Sequence, residues 1–261
     1  LARRATFIKS TREQKENVLL LDAGDSLLTL QRVGDLEQGR LLAEAFNRMG
    51  YDAIALGGMD FRMGLDVLRE QIRAADLAVL SANTLDPQTN EFWDADYVIL
   101  EREGHRIALI GLTDPKIAVE VTQGEVKVME PVESLLDIVE SIKDDADIII
   151  VLSHLGALFD FSLGQVVSGI DLIVSGKDRE VYTSPLEANG VVIVSAGSRG
   201  EYIGQIDLQF DAAGNLVSYD GHVQLLLADI ADDPELQSWM ASSGMIPASA
   251  PKSGGTGKLN P

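Results

Sequence analysis

Leu19-Leu20-Leu21-Asp22-Ala23-Gly24-Asp25 opens on an unbroken apolar run and ends in a glycine elbow that carries a carboxylate. Val18–Asp22 reads as a buried strand, because a short apolar run without alternation suits a strand covered on both faces. The pattern recurs three times. Ala53–Leu56 leads into Gly57-Gly58-Met59-Asp60, and Ile148–Leu152 into Ser153-His154-Leu155-Gly156. Leu172–Val174 leads into Ser175-Gly176-Lys177-Asp178-Arg179. Sites in parallel sheets are built at the carboxyl edge, so these four elbows are expected to share one edge and face one cleft.

Working outward, the periodicity predicts helices at Leu41–Met49, Leu65–Ala74 and Pro131–Lys143. The last starts on proline and places Val132, Leu135, Leu136 and Val139 on its inner face. Further strands are expected at Ala78–Leu80 and Val191–Ser195, and hairpins at Tyr97–Arg102 with His105–Gly111 and at Tyr202–Phe210 with Leu216–Leu226. Alternating strands and helices followed by a β-rich finish imply an α/β sheet extended by antiparallel strands. The acidic loop Asp86–Asp96 lacks EF-hand spacing, and Phe92 and Trp93 are expected to anchor it on the core. Residues 1–231 form the expected domain. In 232–261, Asp232-Asp233-Pro-Glu caps one short helix, and a Pro/Gly/Ser/Lys linker from Ser249 leads to or docks on another module.

The chain has 261 residues, 46% of them apolar, and no cysteine, so it can bury a full core but builds neither disulfides nor thiolate metal sites. Forty-one acidic against 21 basic side chains leave a net charge of -20. That charge repels nucleic-acid backbones and anionic membranes, so neither is an expected partner, and an anionic ligand needs a local positive site. No apolar run approaches the ~18 residues of a membrane span. Walker, GxGxxG, GxSxG and HExxH motifs are all absent. The first residue is Leu rather than Met, which reads as a start within a longer protein.

Taken with their flanks, the elbows resemble the calcineurin-like metallophosphoesterase domain of the bacterial 5′-nucleotidase and UDP-sugar hydrolase family. The resemblance runs from Leu1 to about Leu227. It rests on Ala5-Thr-Phe-Ile-Lys9, Leu19–Asp25, Ala45–Gly57, Ile107–Thr113 and Ser195–Gly204. It implies a four-layer αββα sandwich with two divalent metals at the sheet edge, where they polarise a phosphoryl group and activate water. It also implies that the family's first strand, with its Asp-x-His, precedes Leu1.

Carried over by position, Asp25 matches the bridging carboxylate and His154 the single metal-binding imidazole. Where the family reads Gly-Asn-His-Asp, this chain reads Gly57-Gly58-Met59-Asp60, so Gly58 replaces the amide ligand and Met59 the catalytic histidine. Where it reads Gly-His-x-His, Lys177 and Arg179 replace both imidazoles. Two matched ligands fall short of the three or four that each metal needs. The resemblance therefore implies a pseudoenzyme without resident cofactor, kept for structure, docking or binding in an exported, periplasmic or extracellular, multidomain protein. Lys177 or Arg179 is expected to pair with Asp25 in place of metal. The alternative is a residual metal-dependent phosphoesterase holding Mn, Zn or Ca on Asp25 and His154. A third reading makes Lys177, Arg179 and Arg199 an anion site. A c-type cytochrome module is the partner that the family's domain combinations imply. Read without the family, Asp25 can simply cap a turn, His154 can be a bonded interior histidine, and Lys177–Glu180 can be a solvated turn.

Overall fold

A computed structural model describes residues 1–27, 36–211 and 214–245. Its first sheet is parallel, in the order β1 (Leu21–Asp22), β2 (Ala53–Ala55), β3 (Ala78–Leu80). Short strands β4 (Thr84–Leu85) and β7 (Lys127–Val128) pair with each other. The second sheet is built from β5 (Tyr97–Arg102), β6 (His105–Thr113), β8 (Ile148–His154), β9 (Leu172–Ser175), β10 (Leu186–Ala188) and β11 (Val191–Val194). Its order is β10-β11-β9-β8-β6-β5, parallel from β11 to β6 and antiparallel at both edges. The hairpin β12 (Tyr202–Phe210) with β13 (Leu216–Leu225) adds its apolar face to the space between the sheets.

Alternation along each strand makes the layers. Leu109, Ile150 and Leu152 meet Ala53, Ala55 and Leu80 between the sheets, while Ala108, Ile110, Ile149 and Val151 point to the other side. That other side is covered by α5 (Pro131–Ile142) and α6 (Ala157–Val166). The outer face of the first sheet is covered by α1 (Ala2–Gln14), α2 (Leu36–Met49), α3 (Leu65–Ala74) and α7 (Pro234–Ser242). The result is the αββα sandwich that the family resemblance implies. Because β8 is sandwiched on both faces, all seven of its residues are buried, which is why it reads as a continuous apolar run. The two sheets approach closely at Gly111, where a Cβ would lie 2.3 Å from the Leu80 carbonyl oxygen.

Several local expectations need correction. Helix α1 escapes the periodicity because its buried side is only Ala2, Ala5 and Ile8 among polar residues. Helix α4 (Pro115–Val121), capped by Asp114, and helix α6 are likewise found where no helix was expected. On α5, Leu136 is 44% exposed, and Ile138 and Ile142 supply the inner face beside Leu135. Leu135→Ala is therefore expected to cost about 3 kcal/mol in chemical denaturation, and Leu136→Ala less than about 0.5 kcal/mol. Equal losses would overturn this assignment of faces. Trp93 does anchor its loop, standing edge-on to Phe61 at 5.4 Å, and Asp86 there binds Arg69 in two short contacts. Helix α7 folds back on α1: Asp233 caps it, accepts from Lys9, and bonds through its own N–H to the Ala2 carbonyl. Ser249–Pro261 lies outside the described residues.

Candidate functional site

The four elbows do meet. Gly24, in the left-handed region at φ 105°, lies so close that a Cβ would be 2.8 Å from the Gly57 nitrogen and 2.9 Å from His154 Nδ1. A Cβ on Gly176 would lie 2.5 Å from the Ala23 carbonyl and 2.7 Å from the same Nδ1. Only glycine permits chain segments this near one another. Parallel pairing of β8 with β9 and of β1 with β2 brings the carboxyl ends of all four strands to this edge.

At its centre His154 Nδ1 lies 2.7 Å from the Ala23 carbonyl oxygen and Nε2 lies 3.0 Å from Asp25 Oδ2. A carbonyl only accepts, so Nδ1 carries a proton and Nε2 is the atom turned to the carboxylate. Burial is the largest single influence on His154 and lowers its pKa. The bond and charge of Asp25, the Ala23 carbonyl and the Asp60 charge outweigh it, so the net shift is upward. The upward shift favours the form protonated at both nitrogens, each of which faces an acceptor. Asp25 Oδ1 accepts the Met59 N–H at 2.9 Å.

Asp60 is buried and ties the elbows through their backbones. It accepts from the N–H groups of Gly57 at 2.8 Å, Asp25 at 3.0 Å and Leu27 at 3.0 Å. Burial, then the Asp25 charge, push its carboxyl up to about 7 against the pull of those donors.

Gly58 is sealed. A Cβ there would stand 2.6 Å from Ile117 Cβ and 2.7 Å from Ile117 Cγ2, so α4 fills the space into which an amide ligand would project. Lys177 Nζ lies 2.5 Å from Asp114 Oδ2 and donates to the Leu155 carbonyl at 3.0 Å. The expectation that Lys177 or Arg179 pairs with Asp25 is thereby corrected: the side chain on Asp25 is His154, and Arg179 is exposed with no carboxylate within 4.0 Å among the described residues. Asp178 is spent on the Ala157 N–H at the start of α6. The sequence signal for Asp114 is its place before Pro115, an N-cap signature.

These residues do not fit a pair of divalent cations. Asp25 and His154 are turned on each other, Asp60 is committed to three N–H groups, and no group of three His, Cys, Asp or Glu is placed to hold a metal among the described residues.

No protein-family model matches the chain. The uncharacterized metallophosphoesterase YunD of Bacillus subtilis (strain 168) is 30% identical over 210 residues, covering 78% of this chain and 45% of that protein. The 5′-nucleotidase of Vibrio vulnificus (strain CMCP6) is 29% identical over 259 residues, covering 84% and 47%. The crystal structure of a 5′-nucleotidase precursor from Thermus thermophilus superposes with TM-score 0.82 at 27% identity, over 94% of this chain and 52% of that one. Calcineurin-like phosphoesterase YfkN from Bacillus subtilis gives TM-score 0.81 at 26% identity, over 94% and 88%. The chain is a calcineurin-like metallophosphoesterase domain of the 5′-nucleotidase family. This domain spans about half the length of YunD and of the Vibrio enzyme. No helix among its described residues is long and apolar enough to cross a membrane.

Beneath the edge of this metallophosphoesterase domain, the buried Asp160 carboxylate accepts from the hydroxyls of Ser153 and Ser175. Burial pushes it up to about 6 from 3.8, with the two hydroxyls opposing. Its proton is held more tightly in the folded state. Its contribution to stability is complete below about pH 4 and disappears as pH rises through about 6, about 3 kcal/mol in all. The stability difference between wild type and Asp160→Asn, measured by denaturation on either side of this pH range, should change by that amount. Parallel pH profiles would exclude the effect.

Proposed function

We propose that this domain has lost two-metal phosphoester hydrolysis and serves as a structural or binding module of a larger exported protein. The observation that carries the reading is that the protein's own side chains engage the positions from which the family's ligands would reach metal. His154 occupies Asp25, Lys177 occupies Asp114, and Ile117 closes the Gly58 position. Two-metal hydrolysis needs cations to orient water and to stabilise the attacking and leaving oxygens, and neither an imidazole nor an ammonium supplies a bound hydroxide. Met59, half-buried where the family places its histidine, offers no proton to a departing alkoxide. Export is supported by the precursor label of the Thermus neighbour.

One observation favours a second reading, a residual phosphoesterase. The Ala23 carbonyl orients the His154 ring as a carbonyl orients a ligand histidine, with Nε2 beside a carboxylate. A single manganese, zinc or calcium ion would be held by Asp25 and His154 and would supply Lewis acidity there. The test is metal analysis of the purified protein, together with turnover of bis-p-nitrophenyl phosphate and AMP in added manganese. The expected result is no stoichiometric metal and no rate above that of the Asp25→Ala, His154→Ala double variant. A bound ion, with turnover abolished by each single substitution, would overturn the proposal and establish the second reading.

A further inference from the structure

We infer that two copies of this chain pair through the outer face of helix α6, antiparallel about a two-fold axis. The helix is turned inside out. Its one charged residue, Asp160, is buried, while Leu158 is 86% exposed and Phe159, Phe161 and Val166 also face solvent. Ser162 and Gln165 complete that outer face, and none of the six is charged. At helical spacing Leu158, Phe161, Ser162 and Gln165 form one stripe, with Phe159 and Val166 along its flank. Single exposed leucines are ordinary, but a contiguous apolar stripe marks an interaction surface.

The helix cannot roll these residues inward. On its inner side Asp160 is bonded to Ser153 and Ser175, and Leu163 is packed in the core. Gly164 seats the helix tightly on the edge strand β10, where a Cβ would stand 2.9 Å from Ala188 Cβ. Leu186, two residues before Ala188, points to the same side of the sheet and is exposed, so it carries the apolar surface from α6 onto β10. Glu187 between them points the other way and accepts from the Tyr219 hydroxyl at 3.1 Å.

Charge and shape select a second copy as the occupant. With a net charge of -20, two copies repel each other, and faces studded with acids resist self-association. The α6 face carries no acid, and the nearby Asp178 is spent on the Ala157 N–H. The face also complements itself. A two-fold axis through the midpoint of Ala157–Val166 sets Phe161 of one copy over Ser162 of the other, large into small, and Leu158 against Gln165 and Val166. Ser162 enters that contact already bonded, its hydroxyl donating to the Leu158 carbonyl at 2.9 Å. The exposed parts of the five apolar side chains offer roughly 550 Å² per copy. That is short of the ~800 Å² per partner of standard complexes, so the dimer is a weak, reversible one.

The experiment is sedimentation equilibrium of the 261-residue chain over a range of concentrations at low and high salt. Reversible dimers with a Kd on the order of 10 μM are expected, tighter at high salt because counterions screen the repulsion between the two acidic copies. Phe161→Glu, an exposed change beside the axis, should weaken association at least about tenfold. Val217→Glu, at an exposed apolar position on β13, should leave it unchanged. The chain has no cysteine, so Ser162→Cys gives an independent readout: beside the axis it should close a disulfide between copies under mild oxidation. A chain that stays monomeric at about 200 μM, well above that Kd, overturns the pairing. Dimers that survive Phe161→Glu overturn it too, as do dimers lost only in Val217→Glu, which would belong to the hairpin. Dimers of Ser162→Cys that do not cross-link overturn the antiparallel arrangement.

Discussion

Gly58→Asn, which restores the residue type found in the family at that position, is expected to destabilise the domain by about 3 kcal/mol and to gain no metal. Gly58 is not in the left-handed region, so backbone strain plays no part. The cost is space: the new Cβ would overlap Ile117 Cβ at 2.6 Å and Cγ2 at 2.7 Å, and Cβ is fixed to the backbone of α4, so side-chain rotation cannot clear it. Ile117→Ala removes Cγ2 and keeps Cβ, so it relieves part of the overlap. It should lose about 1 kcal/mol alone and recover at least about 1 kcal/mol in the double variant, a coupling that a denaturation cycle measures directly. Neutral behaviour of Gly58→Asn would mean that the vacated position is open, and the argument for a sealed ligand site would fail with it.

Asp60→Ala is expected to cost about 4 kcal/mol, enough to unfold a domain of ordinary stability. The reason is not its position in a vestigial motif but its bonds. One carboxylate serves the N–H groups of Gly57, Asp25 and Leu27, and its removal strands three donors, two of them in buried bonds. Asp60→Asn should fall between, because an amide keeps one accepting oxygen and turns an N–H₂ toward the remaining donors. Asp25→Ala serves as the contrast: it removes one backbone bond and the His154 pair from a half-exposed position and should lose about half as much. A loss below about 1 kcal/mol for Asp60→Ala, measured in urea, would show that the elbows hold together without it.

The sequence and the structure agree on features encoded within a few residues. Helix α3 and strands β3 and β5 begin and end at the expected residues because their apolar spacing is dense and their flanks carry breakers. Helix α5 starts on its proline as expected, but its inner face is misjudged by one position, since Leu135-Leu136 offers two adjacent leucines and only packing chooses between them. Helices α1 and α6 are poorly legible for opposite reasons. α1 buries two alanines and one isoleucine among charges, whereas α6 carries Leu158, Phe159, Phe161 and Val166 on its exposed side and so blurs the amphipathic signal.

The residues of the candidate site divide in the same way. Asp25, Gly58, Asp60, His154, Lys177 and Arg179 are named by the elbows on which they stand, and strand pairing brings those elbows to one edge. Their partners are another matter. Asp114 for Lys177 and Ile117 over Gly58 come from elements distant in the chain.

From its residues alone, then, the chain determined its apolar strands, their glycine elbows and the shortage of metal donors among them, because hydropathy and ligand type are properties of short segments. Which cation neutralises which carboxylate and which hollow is filled were decided by the fold. Coulomb and steric energies depend on distances of a few ångströms between segments, and only packing sets those distances.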